Sequence, residues 1–297
     1  AMILLFMGHL TAAREAIERA VDAFNASSEE ERLAARAAGQ DAGVADLSLM
    51  SWALWLLGHV DTAITRMVAA FQRADSIEHP HTQAYACYYA SILHALRGEL
   101  TIAHGHAERC LTLSEEHGFR QWRGLAHAVR GICAMMLGPS PGALEEVRSA
   151  LDGYRGAGYQ LGITALYVLL CPALLLGHEF EAALDLIERG LETANRNNER
   201  IFEAELYRLK ARVLLDRGGP DAATEAQSLL DQALITARSQ QAKALELRAA
   251  RDLAALWIDQ GRREEARHVL ARIYGWFTQG FETQDLKEAQ ALFEQLR

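Results

Sequence analysis

Residues Trp52–Phe71 read WALWLLGHVDTAITRMVAAF, and the fold turns on whether Gly58-His59 within this stretch is a chemical site or a turn. An apolar run ends at Gly58, and five residues later stands Ala63. The same spacing recurs down the chain. Gly8, Gly58, Gly98, Gly138, Gly177, Gly218 and Gly261 each follow a helix-favouring run, and Ala13, Ala63, Ala103, Ala143, Ala182, Ala223 and Ala266 each come five residues after. The intervals between the glycines are 50, 40, 40, 39, 41 and 43 residues. Such a period marks a helical hairpin repeated in register.

The glycine is expected to take the left-handed conformation that ends the first helix of each hairpin, helix A. The alanine falls in the first turn of the second, helix B, facing helix A, where a larger side chain would push the pair apart. Each hairpin leaves an apolar face that only its neighbour can cover, so the hairpins stack into a solenoid. Gly58-His59 is then a turn, and at four other rungs the residue after the glycine is Glu, Pro, Gly or Arg.

This frame predicts A helices over 41–57, 81–97, 120–137, 159–176, 199–217 and 242–260. It predicts B helices over 10–25, 61–76, 101–116, 141–154, 181–195, 221–239 and 264–277. Pro80 and Pro141 suit helix starts, whereas Pro172 falls late in its helix and predicts a kink. In the longest interval Ser27 with Glu30, or Ser28 with Glu31, forms a capping box that should open a short extra helix at about 28–38. The segment 279–297 reads as a cap whose amphipathic helix, 283–296, turns Leu286, Ala289, Leu292 and Phe293 inward. The expected architecture is all-α: one continuous domain over 1–297, a right-handed solenoid of six to seven antiparallel hairpins with a C-terminal capping helix. Ile3 to Met7 run apolar into Gly8 without an N-cap, which reads as a truncated first hairpin and as a piece of a longer chain.

The frame of glycine and alanine on a helix-turn-helix unit resembles the tetratricopeptide repeat in a longer version of about 40 residues. Several segments, among them RAAGQDAGVADLSLMSWALWLLGHVDTAI, HPHTQAYACYYASILHALRG, EHGFRQW, AELYRLKARVLL and YGWFTQGFETQDLKEAQALFEQL, resemble the C-terminal region of bacterial multidomain signalling proteins. In that family a class III adenylate/guanylate cyclase domain or another regulatory module precedes an AAA-type ATPase domain and a tetratricopeptide array. The resemblance implies a sensor or scaffold arm that binds a partner and passes occupancy upstream. The family's catalytic parts lie outside this segment, since no GxxxxGK[ST] loop occurs in it.

Composition narrows the function further. A formal charge of -9, from 30 basic and 39 acidic residues, gives nucleic acid no basic face to hold. The four cysteines lie in apolar runs without ligand spacing and read as reduced core residues of a cytoplasmic protein. No apolar run reaches the roughly 18 residues of a membrane span. His104 and His106, two apart on a helix, point in opposing directions, and His79 and His81 have no acidic or thiol partner nearby in sequence. With no nucleophile motif either, the segment reads as non-catalytic, without metal or cofactor.

The residues marked for partner binding are those on A helices, which line the concave groove of such a stack: Trp52, Trp55, Tyr85, Tyr88, Tyr89, Trp122, Tyr167, and the basic Arg123, Arg130 and Arg208. Aromatic stripes and cations together would suit an acidic peptide or a partner domain, including the protein's own upstream ATPase or cyclase domain. The alternatives are that the aromatic stripes are core between hairpins, that the domain senses a small molecule, or that it is a self-association scaffold and forms a homodimer.

Overall fold

The computed structural model describes residues 1–37, 39–159 and 161–296. These residues form sixteen α-helices and no strand. In chain order they are α1 (Met2–Phe6), α2 (Leu10–Ala26), α3 (Glu29–Ala37), α4 (Ala42–Leu56), α5 (Val60–Ser76), α6 (Pro80–Leu96), α7 (Leu100–His117) and α8 (Arg120–Leu137). The second half continues with α9 (Ala143–Gly156), α10 (Ile163–Leu176), α11 (Phe180–Asn197), α12 (Glu203–Arg217), α13 (Ala222–Gln240), α14 (Lys243–Asp259), α15 (Arg263–Tyr274) and α16 (Gln284–Gln295). The period of the glycine ladder thus reports helical hairpins. The largest boundary error falls at the starts of α10 and α12, four residues later than predicted. The helix α10 runs on through Pro172 to Leu176.

The capping box belongs to Ser28 and Glu31: the Ser28 backbone N–H donates to the Glu31 carboxylate at 2.8 Å, and the Glu31 N–H donates to Ser28 Oγ at 3.3 Å. The expected end of this helix falls partly on Ala38, outside the described residues.

The chain groups into two compact units, the first comprising Ala1–Leu5, Ala12–Leu54 and Thr62–Leu161, and the second Phe6–Thr11, Trp55–Asp61 and Gly162–Arg297. In the first, α6 packs on α7, α7 on α8 and α8 on α9, while α6 also reaches α8. In the second, α10 to α16 pack in succession, with contacts from α10 to α12, α12 to α14 and α14 to α16. Contacts between alternate helices are what a stack of hairpins produces.

The alanine rule holds in a sharpened form. Ala13, Ala63, Ala103 and Ala266 have no exposed surface, and each is the fourth residue of its B helix. Three rungs depart from the predicted register. At Gly138 the backbone is extended (φ 164), and Ala143 is the first residue of α9 instead of the fourth. At Gly177 the backbone is not left-handed (φ -83), and His178 (φ 56) takes that role. His178 N–H donates to Leu175 O and Glu179 N–H to Leu174 O, the pattern that Gly98 and Glu99 make with Ala95 and His94. Five residues from His178 stands Ala183, fully buried at the fourth position of α11, while Ala182 is half-buried. At Gly218 the connector to α13 is four residues long, Gly218 to Asp221, so Ala223 is exposed and Ala226 is the buried residue.

Gly58-His59 ends α4, and within the second unit, to which residues 55–61 belong, it packs on a segment distant in sequence. A Cβ on Gly58 (φ 89) would lie 2.6 Å from the Trp276 ring, and the half-buried His59 imidazole sits 5.6 Å from that ring. Alongside, Gly280 N–H donates to Asp61 Oδ2 at 2.9 Å and Asp61 N–H donates to Gln279 Oε1 at 3.0 Å. Gly280 (φ 81) is pressed onto Val60, whose Cγ2 would be 1.8 Å from an added Cβ.

Candidate functional site

The A helices of the first unit are joined by rings. Trp52 donates from Nε1 to Tyr89 O at 3.0 Å, and its ring lies 4.8 Å from the Tyr89 ring. Tyr85 stacks on Tyr89 at 4.5 Å and meets Trp122 edge-on at 5.4 Å, with Tyr88 5.6 Å from Trp122. Trp122 donates from Nε1 to His81 Nε2 at 2.9 Å. The five tryptophan and tyrosine rings are buried, none more than 7% exposed, and His81 is half-buried. The stripe spacing predicted from sequence does bring them together, but inward: they are core between successive A helices and offer a ligand no open ring. Burial raises the Tyr89 hydroxyl to about 12 and pushes Tyr85 up as well, so these two phenols are neutral.

In the second unit the same seam is ionic. Arg208, 8% exposed, donates through Nε and Nη2 to Glu205 at 2.9 and 2.8 Å, and through Nη1 to Asp252 at 2.5 Å. Arg248 bonds Glu205 at 3.0 Å and Asp285 at 2.9 Å, which ties α12, α14 and α16 into one network. Arg251 extends it to Asp252, Asp285 and Glu288. Burial alone would raise Glu205, but Arg208 and Arg248 overcome it and hold the carboxyl at about 2. The network is paired within itself, so Arg208 is a structural cation rather than a groove clamp. Trp55 is buried beneath Arg248, whose guanidinium lies 5.2 Å from the ring, and Tyr167 is buried in α10. Glu205 and Arg208 were legible as an i, i+3 pair, whereas Asp252 and Asp285 come from other hairpins and leave no local signal.

Arg130 reaches Glu146 of α9 at 3.6 Å, and Gly131 abuts Val147 of α9. The arginine-bearing face of α8, with the exposed Arg123 on it, therefore meets α9 of its own hairpin. There, Arg120, Arg123, Gly124, Ala150, Gly153, Tyr154, Ala157 and Tyr159 line a cleft of about 200 Å³. A second, wider cleft of about 450 Å³ lies in the other unit between Arg238, Trp257, Glu264, Glu265, His268, Val269 and Arg272. Trp257 is half-buried in it, its Nε1 held by Gln227 at 3.2 Å and its face covered by Arg262 at 4.6 Å. Sequence reading singled out neither Trp257 nor Tyr159 as a binding residue.

Among the described residues no three His, Cys, Asp or Glu side chains gather to hold a metal ion, and no helix is long and apolar enough to cross a membrane. The four thiols are buried, and burial lifts Cys87, Cys133 and Cys171 to about 12.

No protein-family model matches the sequence, and no curated protein matches it significantly. The fold is similar to that in the crystal structure of NprR in complex with its cognate peptide NprX, at 16% identity and a TM-score of 0.57, over 81% of this chain and 70% of that one. It is also similar to yeast Tom70, at 14% identity and a TM-score of 0.53, over 96% of this chain and 59% of that one. The chain thus spans less than two thirds of Tom70. At these identities the likeness is one of fold: a helical-repeat solenoid of the tetratricopeptide type.

Proposed function

We propose that the 297 residues act as one non-catalytic interaction module that binds a peptide or a partner domain. The observation that carries this reading is the open cleft around Trp257, where an apolar base of Trp257 and Val269 is rimmed by both charge signs, Arg238 and Arg272 against Glu264 and Glu265. Aromatic and arginine side chains in such settings supply most of the energy of peptide recognition, and a mixed rim suits a polar chain better than a single small ligand. The likeness to NprR, solved with its peptide, supports the same reading. Of the residues marked in sequence, Trp52, Trp55, Tyr85, Tyr88, Tyr89, Trp122, Tyr167 and Arg208 stiffen the stack, Arg130 pairs with Glu146, and Arg123 stays exposed.

Panning a linear-peptide display library against the full chain tests this. A consensus should emerge, and its binding should weaken by about tenfold or more on Trp257→Ala or Val269→Arg. No enriched consensus, or one indifferent to both substitutions, counts against it. The sequence resemblance extends the proposal: the module is the C-terminal arm of a cytoplasmic cyclase- or ATPase-linked signalling protein. A reading frame lacking any such domain upstream of Ile3 would contradict that extension.

A further inference from the structure

We propose that the cleft between the start of α8 and the end of α9 is a binding site for a small organic anion with a flat apolar body, a ring-bearing carboxylate. The first ground is unspent charge. Most arginines around it are neutralised: Arg130 by Glu146, Arg148 by Glu145 and Arg155 by Asp152. Arg120 and Arg123, one turn apart on α8, both line the cleft, and neither guanidinium has a hydrogen-bond or ion-pair partner among the described residues. In a chain of net charge -9, two adjacent uncompensated guanidinium forks are a ready clamp for one carboxylate. They sit at the α8 N-terminus, whose N-cap Phe119 supplies no side-chain acceptor, so the helix end adds positive potential of its own.

The second ground is shape. The lining includes small residues, Gly124, Ala150 and Gly153, and a Cβ added to the exposed Gly153 would meet nothing within 4 Å. One wall is the stacked pair Tyr154–Tyr159, with centroids 5.2 Å apart. Tyr154 is fixed by its hydroxyl, which donates to Leu161 O at 2.9 Å, while Tyr159 is 38% exposed and presents its ring. A volume of about 200 Å³ is below the roughly 300–1,000 Å³ of pockets that take drug-sized ligands. It suits one ring and its head group, not a nucleotide. The site is separate from the Trp257 cleft and stands or falls without it.

Isothermal titration calorimetry on the full chain tests the assignment, with benzoate as the probe, benzamide as its neutral isostere, acetate as the ringless anion, and a short peptide ending in phenylalanine. Benzoate should bind at least about tenfold more tightly than benzamide or acetate. Arg120→Gln with Arg123→Gln should erase that preference, as should Gly153→Leu, which fills the cleft and leaves its charges in place. Arg148→Gln, which removes a cation outside the cleft, should change nothing. Unaltered thermal unfolding of each variant separates loss of the site from loss of the fold. Equal binding of benzamide, a preference that survives the double substitution, binding of the peptide alone, or no heat with any probe would each overturn the proposal. Peptide panning indifferent to Arg120 and Arg123 leaves the interaction-module reading intact, so the two fail separately.

Discussion

Gly280→Ala tests the docking of the α4–α5 turn onto the segment after α15. The added Cβ would lie 1.8 Å from Val60 Cγ2 and 3.0 Å from Val60 Cβ, while φ at this position is 81. An L-residue held in the left-handed region costs about 1–2 kcal/mol. Forcing a methyl into a filled contact costs about 1–3 kcal/mol more. The expected loss is therefore roughly 2–5 kcal/mol in equilibrium urea denaturation. Val60 is buried, so Val60→Ala alone should cost about 1–2 kcal/mol through lost methyl groups. Because it removes the obstructing atom, the double variant should be less destabilised than the two losses added, by about 1–3 kcal/mol of coupling. Hydrogen exchange supplies a local reading: the Asp61 amide, bonded to Gln279, should exchange faster in Gly280→Ala. A loss below about 0.5 kcal/mol, or strict additivity with Val60→Ala, would refute the reasoning.

Other outcomes follow from particular residues. Ala183→Leu should destabilise by about 1–3 kcal/mol, whereas Ala182→Leu, half-buried one residue away, should cost clearly less; urea denaturation compares them. Arg208→Ala strands Glu205 and Asp252 in the interior and should cost about 3–5 kcal/mol. Because Arg208 and Arg248 hold Glu205 at about 2, this network's contribution is full above the ordinary carboxylate range. It fades as pH falls toward 2, and Arg208→Ala should flatten that limb of an acid titration. Asp46 has the opposite sign: burial, then the charge of Asp41, raise its carboxyl to about 6. A raised folded pKa favours the fold at low pH and loses that benefit as pH rises through about 6. Asp46→Asn should therefore raise the melting temperature at neutral pH and leave it unchanged near pH 4; an equal gain at both would contradict the assignment.

The hairpin order was legible because it is local. A left-handed residue, a short turn and a small inward side chain all fall within six residues, and the chain repeats them. The register slips show the limit of that signal. His178 replaces glycine in the left-handed cap, which no residue-type rule flags, and a longer connector after Gly218 moves the inward alanine to Ala226. The aromatic stripes were legible as stripes but not as interior, because spacing on one helix does not say whether a neighbouring helix covers it. The ionic network and the Trp257 cleft depend on side chains from different hairpins, and the α8–α9 cleft on two helices of one hairpin. Sequence periodicity carries nothing about them.

The central structural claim is that the B helices α5, α7, α11, α13 and α15 each turn one small residue inward, in the register set by the preceding cap and connector. Single cysteines placed on the ladder test this directly by thiol labelling of the native chain, whose own four cysteines are buried. Cysteine at Ala103, Ala183 and Ala226 should stay unlabelled until denaturant is added, and cysteine at Ala223 should react at once. A reactive Ala226→Cys with a protected Ala223→Cys would contradict the register and the hairpin packing built on it.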